Sequence, residues 1–301
     1  MRLSRKIRLT KGDIVFNIIT YTVFGIFTLL CLVPFYYLFI NTISDNDLTK
    51  RGLITLIPQG IHFGNYLQVL KLRGLSNAAL VSVGRTVIGT ALTVTSSAIV
   101  GYLVTKNEMW GRKFWYRYII ITMYFSAGLV PWYTNMSLLH LTNNFLGYIL
   151  PGIVAPFNII LVKTYIESIP PSLEESAAMD GAGYTRVFIS IIWPLTMPIL
   201  ATIAIFSAVG SWNAFTDTLF LMTDERLFTM QFVLYRYLNE ANHLASIMRS
   251  GTTGAINAAT ALTPRTIQMT VSMVVVLPIL LVYPFLQKFF VKGIMIGAVK
   301  G

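Results

Sequence analysis

Residues 174–198 read EESAAMDGAGYTRVFISIIWPLTMP and lie between two long apolar runs. The first half is polar and helix-forming, and the second returns to apolar residues through Trp193-Pro194 and Pro198. A chain that otherwise avoids water has kept a compact element in it. Pro170 and Pro171 cannot continue a helix, but proline is tolerated at the start of one. The spacing predicts a helix with Ser172 as N-cap and Glu174 and Glu175 in the first turn, where the helix dipole favours carboxylates. Ser172 and Glu175 also have the spacing of a capping box. Ala177 and Ala178 offer a slim surface suited to a groove, and Gly181 ends the helix or permits close approach. Such an element suits the grip of a soluble partner; the plainer alternative is a capped interfacial helix that touches nothing.

Working outward, the chain is 55% hydrophobic and 12% charged, with mean hydropathy +0.66, which places it among membrane proteins. Residues 14–40, 86–105, 118–162, 187–216 and 266–287 contain no Asp, Glu, Lys or Arg. Each is long enough for one crossing of about 20 residues, and 118–162 is long enough for two, broken at the polar turn His140–Asn144. The expectation is therefore an all-α membrane protein with six transmembrane helices, near 14–40, 78–105, 116–137, 145–166, 188–212 and 266–290. Helix 1 is expected to kink at Pro34. Helix 2, rich in Ser, Thr, Ala and Gly, suits close packing at the centre of the bundle.

Lys and Arg placement orients the bundle. With both termini in the cytoplasm, the inside holds the basic N-terminal arm, Lys106, Arg112, Lys113, Arg117, Lys163, Arg186 and the C-terminal lysines. The +11 net charge is thereby accounted for by membrane orientation without nucleic-acid binding. The chain reads as one domain, 1–301. Its external loops are about 41–77, with a short amphipathic piece near Asn65-Tyr66, and 213–265, with a helix near 227–248. Its cytoplasmic loop is about 167–187. The run 14–40 is too long for a signal-peptide core and reads as a retained helix. Cys31, the single cysteine, is expected to be a buried small hydrophobe.

No GxxxxGK[ST] occurs, so the chain lacks a P-loop of its own. His62, His140 and His243 are isolated, without metal-ligand spacing. Arg85 lies near a span and either lines a pathway or snorkels to the interface, and Asp217 is a similar candidate. Trp212 and Asn213 combine an indole able to stack on a sugar with an amide able to bond hydroxyls; equally, Trp212 suits an interfacial aromatic belt. Tyr124, Trp132 and Tyr133 carry the same ambiguity.

The spacing Glu175-Ser176-Ala177, three residues, Gly181, nine residues, Ile191-x-Trp193-Pro194 closely resembles the EAA signature of membrane subunits of binding-protein-dependent ABC importers. Ser176 and Trp193 depart from the pattern, which has Ala and Leu there. The surrounding PPSLEESAAMDGAG, FGNYLQVL (63–70) and Ser211-Trp212-Asn213-Ala214-Phe215 resemble the carbohydrate-importing, maltose-type second permease family. The long 213–265 loop and TALTPRTIQM (260–269) resemble its LplC-like branch, associated with complex or acidic oligosaccharides including alginate fragments. The resemblance implies the MetI-like permease fold and a coupling helix that docks on an ATPase through Ser172, Glu174, Glu175, Ser176, Ala177, Asp180, Gly181 and Ala182. It implies a second homologous permease, two ATPase subunits holding ATP and Mg, an extracytoplasmic sugar-binding protein and a place in the bacterial inner membrane. This chain itself would be a non-catalytic subunit binding no cofactor. The rival, an ion-coupled secondary transporter, calls for inverted repeats and intramembrane acids; neither is evident.

Overall fold

The computed structural model describes the backbone of residues 10–72, 74–249 and 264–298, and the side chains of 10–72, 74–239 and 265–282. The regular elements among the described residues are all helices, without strands. By internal contacts the chain forms two compact units, 1–69 with 244–273, and 70–243 with 274–301. The expected loop helix near 227–248 is present as Met230–Arg249; of the TALTPRTIQM phrase, residues 260–263 lie outside the described residues and the rest opens the helix Pro264–Ala298.

In the first unit, α1 (Lys11–Ile43) begins with a capping box: Asp13 N–H donates to Thr10 Oγ1, and Thr10 N–H donates to the Asp13 carboxylate. Its apolar side chains are exposed along nearly the whole length, from Ile14 to Phe39. A helix apolar all round and unburied by its own chain is one made for lipid or another subunit. Cys31 is exposed on it, not buried as the sequence suggested. The helix runs on through Pro34. Its last turn, Ile40–Ile43, is buried under the following segment. There Asn65 Nδ2 donates to Thr42 O at 2.9 Å, Thr42 Oγ1 bonds Tyr66 Oη at 2.7 Å, and His62 N–H donates to Ile43 O at 2.8 Å. Asp45 caps α2 (Asn46–Arg51), and the expected short piece at Asn65-Tyr66 is α3 (Gly64–Leu70).

In the second unit, α4 (Leu75–Leu103) is central. It packs along α8 (Pro156–Ile166) and α11 (Trp193–Asn213). Its small residues permit this: a Cβ on Gly101 would lie 2.8 Å from a Val162 methyl. The core between these helices is Ala98, Tyr102, Val162, Ile166, Val187, Ile192, Leu200 and Ile203.

Among the described residues, four helices are long and apolar enough to cross a bilayer: Lys11–Ile43, Leu75–Leu103, Tyr184–Asn213 and Arg265–Val282. A fifth crossing exists if the bent pair Leu146–Gly152 and Pro156–Ile166, at 45°, counts as one. Two expected helices are thus interrupted. The stretch 116–137 is divided into α5 (Arg112–Tyr124) and α6 (Leu129–Leu138) by non-helical residues 125–128. The stretch 145–166 is divided into α7 (Leu146–Ile149), a 3₁₀ turn at 150–152, and α8. The expected polar turn between them holds: His140 and Asn143 take left-handed backbone, and Asn143 Oδ1 accepts from Thr223 N–H at 2.7 Å.

After α9 (Ser172–Met179), α10 (Tyr184–Val187) leads through a π-helical turn, Phe188–Ile192, into α11. Pro194 and Pro198 lack N–H donors, and the widened turn absorbs the mismatch before the first of them. Beyond α11 come α12 (Thr216–Leu221), α13 (Met230–Arg249) and α14 (Pro264–Ala298), the last longer than the expected 266–290.

Candidate functional site

The helix read from 174–198 is α9. It starts one residue earlier than expected. Pro171 is already helical (φ −60°, ψ −28°), so Ser172 is the first helical residue and not the N-cap. The capping box with Glu175 is not formed; Glu174 and Glu175 N–H groups donate to Pro171 O at 3.0 and 3.1 Å. The far end fits expectation. Gly181 takes φ +79°, its N–H donates to Ala178 O, and Ala182 N–H donates to Ala177 O, both at 3.0 Å. This pair of bonds is a Schellman closure, which needs a left-handed residue at Gly181.

The faces of α9 differ. Ala177 and Ala182 pack against the apolar cluster of α4, α8 and α11, so Ala177 is an anchor on this chain and not part of a free slim surface with Ala178. Leu173, Glu175, Ser176, Met179 and Asp180 are exposed, Met179 at 89%. Trp193, where the signature has Leu, meets Phe188 edge-on at 5.9 Å, and Phe188 lies 5.1 Å from the Tyr102 ring. The larger side chain is accommodated by an aromatic stack below the helix.

Charged residues tie α9 to its surroundings. Glu174 pairs with Lys106, from the link between α4 and α5, and the Lys106 ammonium also lies 4.3 Å from the centre of the Tyr102 ring. Glu167 pairs with Lys163 at 2.7 Å and with Arg112 at 3.9 Å, while Arg112 Nε donates to Val104 O at 2.7 Å. A cavity of about 650 Å³ beside α9 is lined by Lys106, Glu108, Pro171, Glu175, Ala178 and Tyr184, among others. In the sequence these lysines and arginines registered only as orienting charges, because their partners are distant in the chain.

The other candidates separate. Arg85 does not snorkel but is buried within the fold, 4% exposed. Its Nε donates to Ser211 O at 2.9 Å, its Nη1 pairs with Asp217 at 3.2 Å, and the guanidinium lies 4.9 Å from the Tyr148 ring centre. Tyr148 Oη donates to Leu227 O at 2.7 Å. Arg85 and Asp217, picked separately in the sequence, thus form one buried joint between α4, α7, α11 and α12. The Trp212 indole N–H donates to Val275 O of α14 at 3.1 Å, so its polar edge is engaged within the fold. Asn213 is exposed at the end of α11, and Tyr124, at the end of α5, is 80% exposed. Outside the helices, the Asp224 carboxyl is held below its ordinary range by hydrogen bonds from Arg226.

A family model, the binding-protein-dependent transport system inner membrane component, matches residues 7–296. The chain belongs to this family. Among curated relatives, it is 32% identical over 289 residues to the polygalacturonan/rhamnogalacturonan transport system permease protein YtcP of Bacillus subtilis, covering 95% of this chain and 98% of that one. It is 33% identical over 294 residues to Protein LplC of the same organism, covering 97% of each. Among solved structures, it matches a chain of a bacterial ABC transporter involved in the import of the acidic polysaccharide alginate. The TM-score is 0.82 at 28% identity, over 95% of this chain and all of that one. As an inner membrane component, the chain is a non-catalytic membrane subunit of ABC transporter type.

Proposed function

We propose that this chain is one of two permease subunits of an ATP-driven, binding-protein-dependent importer of oligosaccharides, acidic ones in particular. The observation that carries the reading is α9 itself, a polar helix anchored by Ala177 and Ala182, closed at Gly181, and presenting Glu175, Ser176 and Asp180 outward. Uronate-rich substrates gain support from relatives named for polygalacturonan and alginate. The secondary-carrier alternative has no support from the family to which the chain belongs.

The mechanism is alternating access. A saccharide-loaded binding protein docks outside, on loops about 41–77 and 213–265, and two ATPase subunits holding ATP and Mg close inside. Closure moves α9, and α9 moves the core of α4, α8 and α11 as a body. The path between the two permeases opens outward, receives the saccharide and reopens inward after hydrolysis. Six crossings follow if α5 with α6, and α7 with α8, each count as one broken span, with both termini in the cytoplasm of a bacterium. Arg85, Tyr124, Trp212, Asn213 and Asp217 are the candidates for the path, and Tyr124 and Asn213 are the exposed ones among them.

Affinity purification of the chain from its native membrane, with identification of co-purifying proteins, tests the reading. Recovery of an ATPase and a second permease, with loss of the ATPase on Glu175→Lys, is expected. A chain recovered alone and still transporting would overturn it.

A further inference from the structure

In a bilayer, backbone N–H groups must find partners, so irregular backbone persists at membrane depth only within protein or beside a water-filled space. Residues 125–128 are such a place. On the reading that α5 and α6 form one broken crossing, the 13 residues of α5 rise about 20 Å at ~1.5 Å each, which places the break inside a hydrocarbon core about 30 Å thick. Among the described residues, the N–H groups of Ser126, Ala127, Gly128, Leu129 and Val130 have no acceptor, and Pro131 has no N–H to offer. This backbone borders a cavity of about 790 Å³, within the common size range of ligand sites.

The cavity wall is mixed in a particular way. Phe125, Trp132 and Phe220 contribute aromatic surface, while Ser126, Asn135 and Thr216 contribute hydroxyl and amide groups. The Trp132 indole N–H, the Asn135 amide and both hydroxyls make no hydrogen bond to described residues. A smaller cavity of about 210 Å³ shares Leu129, Trp132, Thr216 and Phe220 and reaches Asp217, the partner of Arg85. Asp217 is thus held at the smaller cavity by its pairing with Arg85. Lipid tails satisfy none of these polar groups, and leaving them dry is costly. A pyranose ring offers an apolar C–H face to an indole and a rim of hydroxyls to amides and alcohols.

We infer that this cavity is a saccharide subsite on the translocation path, in which Trp132 stacks on a pyranose ring while Asn135 and Thr216 bond its hydroxyls. The inference rests on the importer reading and adds to it the residues that hold the cargo in the outer half of the span. None of the three stood out as polar contacts in the sequence, where Trp132 was one of several ambiguous aromatics.

The test uses the assembled transporter in proteoliposomes with its binding protein. Uptake of galacturonate trimers, alginate trimers and maltotriose by the wild type defines the probe; uptake of none would count against the importer reading and, with it, the subsite. Asn135→Cys, in a Cys31→Ser background, is then exposed to a membrane-impermeant thiol reagent with and without the probe. Labelling that the probe slows severalfold is expected. An unreactive thiol, covered by the second permease or by lipid, or labelling at equal rates, would overturn the subsite while leaving the importer reading intact. Trp132→Ala is expected to lower the uptake rate at saturating binding protein about tenfold, with the ATPase still co-purifying. Trp132→Phe should recover part of that loss. Unchanged uptake by Trp132→Ala would also overturn the subsite.

Discussion

Two of the helices expected to cross the membrane are interrupted among the described residues, and the interruptions are finished differently. At 150–155, between α7 and α8, the freed carbonyls are taken by the chain itself: Thr93 Oγ1 donates to Gly152 O at 2.9 Å, and Ser96 Oγ donates to Ile153 O. At 125–128, between α5 and α6, the freed N–H groups have no partner among the described residues and face a cavity. The first break is sealed by the small polar residues of α4 and belongs to the architecture. The second is left open, which is sensible only where something other than this chain completes it. A bilayer tolerates both, for opposite reasons.

Variants at the two breaks should therefore behave differently. The largest effect is expected beneath the open break, at Arg85. Arg85→Met strands the Asp217 carboxylate and should destabilise the purified chain by about 3 kcal/mol. The double variant Arg85→Met/Asp217→Leu should recover much of that loss, as read by thermal unfolding in detergent. Next comes the seam beside the sealed break. Gly101→Val forces a side chain into Val162, where the Cβ alone would approach to 2.8 Å. It should cost about 1–3 kcal/mol by the same measurement. Unsealing the break with Thr93→Val or Ser96→Ala orphans one carbonyl each, for about 1–3 kcal/mol. The matching change at the open break, Ser126→Ala, should stay within about 0.5 kcal/mol, since its hydroxyl has no partner to lose. Equal losses at Ser96 and Ser126 would erase the distinction.

The smallest effect on stability, and the more telling one on function, lies at α9. The Lys106–Glu174 pair is only partly buried, with side chains 16% and 25% exposed. Its loss should therefore cost at most about 1 kcal/mol. Lys106→Glu should nevertheless reduce transport per ATP hydrolysed, by freeing α9 from α4 and α5, and the exchange Lys106→Glu/Glu174→Lys should restore it. A swap that restores nothing would mean that the pair does not carry the motion.

What could be read beforehand follows from the range of each interaction. The α9 helix, its closure at Gly181, the short helix at Asn65-Tyr66 and the loop helix Met230–Arg249 depend on neighbours within a few residues, and spacing revealed them. The helix start failed by one residue because Pro171 was itself able to adopt helical angles, a choice that spacing does not record. The two breaks were invisible as breaks, since Phe125-Ser-Ala-Gly128 and Leu150-Pro-Gly152 sit in apolar runs whose composition reads as continuous span. Arg85 was conspicuous, yet its meaning lay in Ser211, Asp217 and Tyr148, far away along the chain. Asn135 and Thr216 gave no local signal at all; only folding places them at one cavity.

The central claim is that α9 transmits ATPase closure to the membrane core, and energy-dependent saccharide uptake into proteoliposomes, measured alongside ATP hydrolysis, tests it most directly. For Glu175→Lys, which reverses charge on the exposed face, and Gly181→Pro, which cannot take φ +79°, the account predicts normal membrane insertion and uptake reduced to background. Uptake at the wild-type ratio to ATP hydrolysed in both variants would contradict it.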